Sequence, residues 1–354
     1  MTDIDHLSAD PPPLRRSRRK SGGITLRDVA RLAGVAPITA SRALNTPDAV
    51  SDELLQRVRA AVESTGYVPN MLAGGLASRK SRLVAAVVPT ISGSVFLEMV
   101  QSLTASLAGY GYQLMLGQSG YADSREDQLL EAIIGRRPDG VILTGIMRSA
   151  QGRQRLLASG IPVVETWDLA PDPIDMLVGF SHEQSGAAVA QFLHARGRRR
   201  AAAITADDER ASRRSVAFSA AAVALGMAAP GAQCIPSHVV PAPSTVGGGR
   251  GGLRALLAQQ PDVDAIFCSS DTVALGVITE AQVMGIAIPR QLAVVGFGDL
   301  GLSRDLHPAL TTVHIDGARI GSTAARFIVE RANERAVAER IVDVGFSIVE
   351  RAST

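Results

Sequence analysis

TLRDVARLAGVAPITASRALN, residues 25–45, reads as two short helices joined by a tight turn. Small residues at Ala30, Ala33 and Gly34 let the helices cross closely, Gly34 supplies the turn, and Val29, Val35 and Leu44 are placed to close a small core. Thr25, with Asp28 in the first turn after it, is a start signal for the first helix. Ser51 followed by Asp52 and Glu53 starts a third helix, which Gly66 ends. The pattern predicts an all-helical unit, either a helix-turn-helix or a generic helical hairpin. Pro37 and Ile38 open the second helix, where a DNA-reading helix presents its base contacts, yet neither side chain offers a hydrogen bond.

Beyond about Ser81 the pattern changes. Apolar runs of strand length appear at 83–88, 113–117, 140–145, 162–166, 201–205, 265–269 and 292–297. Between them lie helical periods, such as Val95, Met99, Leu103 and Leu107 spaced by four along one face. Repeated alternation of strand and helix predicts parallel sheets covered by helices on both sides. A break at GFSHEQSG (179–186) divides the stretch into two similar α/β lobes, and a cleft at the carboxyl ends of their strands is the expected place for a small ligand.

Composition narrows the function classes. The 354 residues are 46% apolar, enough for two or three folded units, and the net charge of +2 leaves any basic character local. It concentrates at Arg15, Arg16, Arg18, Arg19 and Lys20, beside Pro11 to Pro13 and Gly22 and Gly23, so residues 1–23 are expected to form a disordered basic arm. Cys234 and Cys268 stand far apart without a CxxC spacing, which fits a reducing compartment and argues against a disulfide scaffold or a zinc site; no metal or cofactor is expected. Acidic residues and prolines replace the apolar core of a secretory signal, and no stretch suits a membrane span, so the expected location is the cytoplasm.

The run at 25–45, followed by VS (50–51), TGYVPN (65–70) and LAS (76–78), resembles the LacI/GalR family of bacterial transcription regulators. GFSHEQSG (179–186), CSSDTVALG (268–276), VVGFGD (294–299) and PALTTV (308–313) extend the similarity over residues 24–351. The resemblance implies an all-α helix-turn-helix head at 24–69, a hinge at 70–82, and a periplasmic-binding-protein-like core of two doubly wound parallel-sheet lobes at 83–351. It implies a repressor that binds pseudo-palindromic operator DNA as a homodimer under control of a small effector. The closing residues GFSIVERAST add no leucine heptad, which favours a dimer over a tetramer.

By resemblance, Thr25, Leu26, Pro37, Ile38, Thr39, Ser41, Arg42 and Asn45 lie at the DNA, joined by Asn70, Leu76 and Ala77 of the hinge. Pro37 in the first turn sacrifices no helical hydrogen bond, and Ile38 can press on a thymine methyl. Arg42 is either a polar reader or a solvated helix residue. Ala36 stands where relatives often carry a capping Ser or Thr, which removes about 1 kcal/mol of cap energy. Gly74 and Gly75 weaken the hinge as a free helix, so it is expected to order on DNA with Leu76 wedged in the minor groove; a flexible linker is the alternative.

For the effector, resemblance points to Phe96, Glu165, Trp167, Arg214, Ser270, Asp271 and Gly298. Phe96 reads equally as core, Arg214 as part of a solvated arginine face with Arg210 and Arg213, and Ser270 and Asp271 as helix caps. Gly298 replaces an Asp that many sugar-sensing relatives carry. With GYQLMLGQSGY (111–121) and VVETWD (163–168), similar to the gluconate-utilisation repressor branch, it points to a sugar acid. Enzymatic motifs fail. GFGDLG (296–301) meets Pro308 and the strand-like ALTTVHI instead of a helix, GGGRGG (247–252) lacks the Lys of a phosphate loop, and Gly186 interrupts any H-E-x-x-H at His182. A solute-binding protein of a transporter shares the two-lobed pattern, but it needs export and no helical head.

Overall fold

The computed structural model describes residues 24–68, 80–91, 94–121 and 123–354, in two compact units whose boundary falls between Arg79 and Lys80. The arm expected at 1–23, and Asn70, Gly74, Gly75, Leu76 and Ala77 of the connector, lie outside the described residues.

The first unit holds α1 (Leu26–Ala33), α2 (Pro37–Asn45) and α3 (Asp52–Thr65). Helix α1 starts where expected: the Thr25 amide and hydroxyl both donate to Asp28 Oδ2, at 3.0 and 2.7 Å. It ends at Gly34, whose φ of +67° lets its amide reach back to the carbonyls of Ala30 and Arg31. Arg57 of α3 donates to the carbonyls of Ala33 and Gly34, so the third helix clamps the turn between the other two. Val29, Ala30, Ala33, Ala40, Ala43, Val58 and Ala61 form the core. Its small side chains bring the three helices close together.

The second unit contains two sheets. Strands β1 (Leu83–Val88), β2 (Gln113–Gln118), β3 (Gly140–Thr144), β4 (Val163–Thr166), β5 (Met176–Gly179) and β11 (Ile341–Asp343) run in the order β2-β1-β3-β4-β5-β11, all parallel. Strands β6 (Ala201–Ala206), β7 (Ser237–Val240), β8 (Ala265–Cys268), β9 (Ala293–Phe297), β10 (Thr311–His314) and β12 (Ser347–Val349) run in the order β7-β6-β8-β9-β10-β12. Here the all-parallel expectation needs correction, because β12 pairs with β10 antiparallel. The chain passes from the first lobe to the second after β5, returns after β10, and crosses once more between β11 and β12, so β12 enters the second sheet as an edge.

Burial alternates along the inner strands. Val84, Ala86 and Val88 of β1 join one apolar cluster while Ala85 and Val87 join another, as both faces of a covered parallel sheet require. Helices α4 (Leu97–Gly109) and α11 (Gly317–Ala332) pack together in the first lobe; α7 (His182–Ala195) and α8 (Glu209–Ala224) do so in the second. Where α7 packs on α8, Gly186 is essential: a Cβ there would stand 2.2 Å from the Arg214 carbonyl. The missing side chain is what brings the first turn of α7 against α8.

Candidate functional site

Between the lobes lies a cavity of about 370 Å³, at the carboxyl ends of the strands. The first lobe contributes Thr90, Val95, Phe96, Tyr121 and Trp167 to its wall, and the second contributes Asp208, Arg210, Arg214, Ser270, Thr272 and Phe297 among others. Phe96 meets Trp167 edge to face at 5.1 Å, and Trp167 meets Phe180 at 6.0 Å, which continues to Phe297 at 6.1 Å. This aromatic floor crosses from one lobe to the other. Trp167 is held in it with φ +64° and with its indole Nε1 donating to Met99 Sδ at 2.9 Å.

Arg214 is the unusual group. It is 6% exposed, its guanidinium lies 3.8 Å over the Phe297 ring, and among the described residues no carboxylate lies within ion-pair distance. Nη1 donates to His182 Nδ1 at 3.0 Å and Nη2 to the Ser269 carbonyl at 3.1 Å, while Nε has no partner. Burial pushes the guanidinium down to about 10, so it remains charged at neutral pH. A buried cation held only by neutral acceptors, with one N–H left over, is an incomplete arrangement that an anion would complete. Asp208 caps α8 by accepting from the Ala211 amide at 3.0 Å, and its carboxylate also faces the cavity.

Three expected effector residues, Glu165, Asp271 and Gly298, do not line this cavity. Glu165 is fully buried, accepting from the amides of Met147 and Ile174 at 2.7 and 2.8 Å, and burial raises its carboxyl above the usual range. Asp271 is likewise buried, accepting from Ser303, Thr312 and the Leu300 amide, so it ties down the loop after β9. Nor does it cap a helix: Ser270 caps α10 (Asp271–Val283), accepting from the Val273 amide, while bonding Ser244 at the cavity wall. Gly298 adopts φ +118° next to the wall, where a Cβ would come within 3.0 Å of Val95. The following Asp299 is turned to Arg351 and His314. His182, Asp208, Arg210 and Tyr121 escaped the sequence reading of this wall; the one available signal was that each lies in the short stretch after the carboxyl end of a parallel strand, or in the first turn of the helix that follows it.

On the head, Ile38 is 74% exposed, and Pro37, Arg42 and Asn45 are exposed on the same short helix, while Ala40 and Ala43 face the core. Thr39 and Ser41 are half-buried, and Asn45 donates to Ser41 Oγ. Ala36 offers α2 no side-chain cap. Thr25 is exposed at the start of α1, with Leu26 half-buried beside it.

Residues 25–70 match the family described as bacterial regulatory proteins, lacI family, and residues 190–354 match a periplasmic binding protein-like domain. The chain is 38% identical to the HTH-type transcriptional regulator GntR of Pseudomonas aeruginosa over 340 residues, 96% of this chain and 98% of that protein. The chain belongs to the LacI family of bacterial regulatory proteins. Solved LacI-family structures agree in fold. A LacI-family transcriptional regulator from Silicibacter pomeroyi superposes with TM-score 0.86 at 33% identity, covering 93% of this chain and 99% of that one. The transcription regulator GntR from Chromobacterium violaceum gives 0.72 at 36% identity, covering 77% and 98%. This LacI-family member is a DNA-binding regulator of transcription and not an enzyme. Among its described residues no group of three or more His, Cys, Asp or Glu side chains could hold a metal ion, and no helix is long and apolar enough to cross a membrane.

Proposed function

We propose that this regulator is a cytoplasmic repressor that grips a pseudo-palindromic operator as a homodimer and releases it when a sugar acid, such as gluconate, binds between the lobes. The observation that carries the effector class is Arg214, a buried guanidinium that has, among the described residues, no carboxylate partner and an unpartnered Nε. The acid's carboxylate takes that guanidinium, and its hydroxyls meet Asp208, Ser270 and the other polar groups of the wall, while Phe96 and Trp167 cover its apolar face. Gly298 adds no negative charge there. In the head, Pro37, Ile38 and Arg42 enter the major groove, supported by Thr25, Leu26, Thr39, Ser41 and Asn45; Asn70, Leu76 and Ala77 follow in a hinge at 70–82. The domain limits of this reading are 24–69 for the head and 83–351 for the core.

Calorimetry with gluconate, related aldonates and neutral hexoses tests the effector, alongside footprinting of the protein's own chromosomal DNA with and without each. Aldonates are expected to bind and to release the DNA. Arg214→Lys keeps the charge but loses the planar fork, and should weaken aldonate binding by about 2 kcal/mol or more. Heat from neutral sugars alone would reject the anionic effector.

A further inference from the structure

His182 is fixed on both sides of its ring. Arg214 Nη1 donates to Nδ1 at 3.0 Å, which makes Nδ1 the acceptor and leaves the hydrogen on Nε2, 2.9 Å from the Trp167 carbonyl. Phe180 packs edge-on against the ring at 4.6 Å, and the residue is 1% exposed. Both hydrogen bonds are consistent only with the neutral Nε2–H tautomer, because a protonated ring would turn an N–H toward a guanidinium.

The surrounding charges agree. From α8, Arg214, Arg210 and Arg213 face the imidazole, and burial together with these cations holds it well below the ordinary histidine range. The nearby carboxylates bond elsewhere, although Asp208 and Asp168 still favour the charge on Arg214: Asp208 accepts from the Ala211 amide, Asp168, after β4, pairs with Arg213 and accepts from the Leu169 amide, and Glu183, next in α7, pairs with Arg213 and accepts from Ser181. The Phe180 ring packs on the imidazole, and Phe297, next to Phe180, lies under the Arg214 guanidinium. Arg214 is therefore oriented by an imidazole and a carbonyl, two acceptors that carry no net charge.

We propose that His182 is the specificity-determining positioning residue of the cleft: as a neutral acceptor it aims the Arg214 guanidinium without cancelling its charge, and so reserves that charge for a ligand bearing a carboxylate. A carboxylate at position 182 would orient the guanidinium equally well and neutralise it, converting the cleft to one for uncharged polyols. An apolar residue there would leave the charge but release its orientation. The inference rests on Arg214 being the anion's partner, and its test separates the two.

The first readout needs no effector. In ligand-free protein labelled with ¹⁵N-histidine, the signal lost on His182→Asn should be that of a neutral Nε2–H tautomer and should not titrate between about pH 6 and 8. An Nδ1–H tautomer, or protonation near the ordinary histidine value, overturns the proposal whatever the ligand is. The second readout is calorimetry with gluconate and glucose. His182→Asn, whose side-chain oxygen replaces Nδ1 as a neutral acceptor, should keep gluconate affinity within about threefold, and His182→Asp should lose about tenfold or more without losing affinity for glucose. Equal gluconate affinities for the Asn and Asp variants, with both proteins folded by circular dichroism, also overturn it. If gluconate gives no heat with the unaltered protein, the effector assignment fails, and the tautomer measurement still decides the state of His182.

Discussion

At residue 271 a carboxylate and at residue 270 a hydroxyl stand side by side, and their surroundings give them different work. Ser270 caps α10 and touches the cavity, whereas Asp271 holds three donors from the loop after β9 and the start of β10. Ser270→Ala should cost about 1 kcal/mol of stability, the usual value of a lost cap. Asp271→Ala leaves the Leu300 amide and two buried hydroxyls without their acceptor, and should cost about 3 kcal/mol. Chemical denaturation of the two variants measures the difference, and equal losses would contradict the assignment. The sequence distinguishes these residues poorly because Ser303 and Thr312, which define Asp271's role, lie far along the chain. Glu165 shows the same limit: its partners, the amides of Met147 and Ile174, belong to loops with no recognisable spacing to it. Arg214 was legible as a candidate through resemblance, but its loneliness was not, since that depends on Asp168 and Glu183 both turning to Arg213.

At the scale of elements, strong periodicity translated well. The apolar runs at 83–88, 113–117, 140–145, 201–205 and 265–269 all became inner or neighbouring strands, and the Thr25 and Ser51 start signals became helix starts. The strands β11 and β12 are only three residues long, too short for a period to emerge, and they obtain their places from lobe crossings rather than local preference. The crossing of α7 and α8 is equally non-local, yet it assembles the site, because it sets His182 against Arg214. Gly186→Ala tests that dependence. The new methyl would fall 2.2 Å from backbone that belongs to Arg214 itself, so α8 has to move away. We expect a stability loss of about 2 kcal/mol in thermal or chemical unfolding, with a larger proportional loss of effector affinity in calorimetry. Unchanged unfolding and binding would mean that the helices are not packed at this distance.

For the core as a whole, the second lobe reaches across to the first through one turn of α8. Arg210 donates to the Thr144 carbonyl at 2.9 Å, Glu209 pairs with Arg148, and Arg213 donates to Asp168 at 2.6 Å. Thr144 ends β3 and Asp168 follows β4, both in the first sheet, so these bonds exist only while the lobes keep this mutual angle. The Arg213 pair is the most consequential of them, because Asp168 is 1% exposed and removal of its cation leaves a buried carboxylate largely uncompensated. A ligand that draws the lobes together shares its binding energy with this latch, and coupling of about 1–3 kcal/mol is enough to change operator occupancy several-fold. Arg213→Ala should therefore favour lobes standing farther apart before ligand arrives: small-angle scattering of the ligand-free protein should give a larger radius of gyration. Effector affinity should fall about tenfold, because each binding event then has to close the lobes without the latch. The operator affinity of ligand-free protein should change little in the same variant if the effect is confined to closure. Were scattering and effector affinity both to match the unaltered protein, the Arg213 pair would be a surface ornament of the cleft and control of the lobe angle would have to reside in the three crossing segments instead.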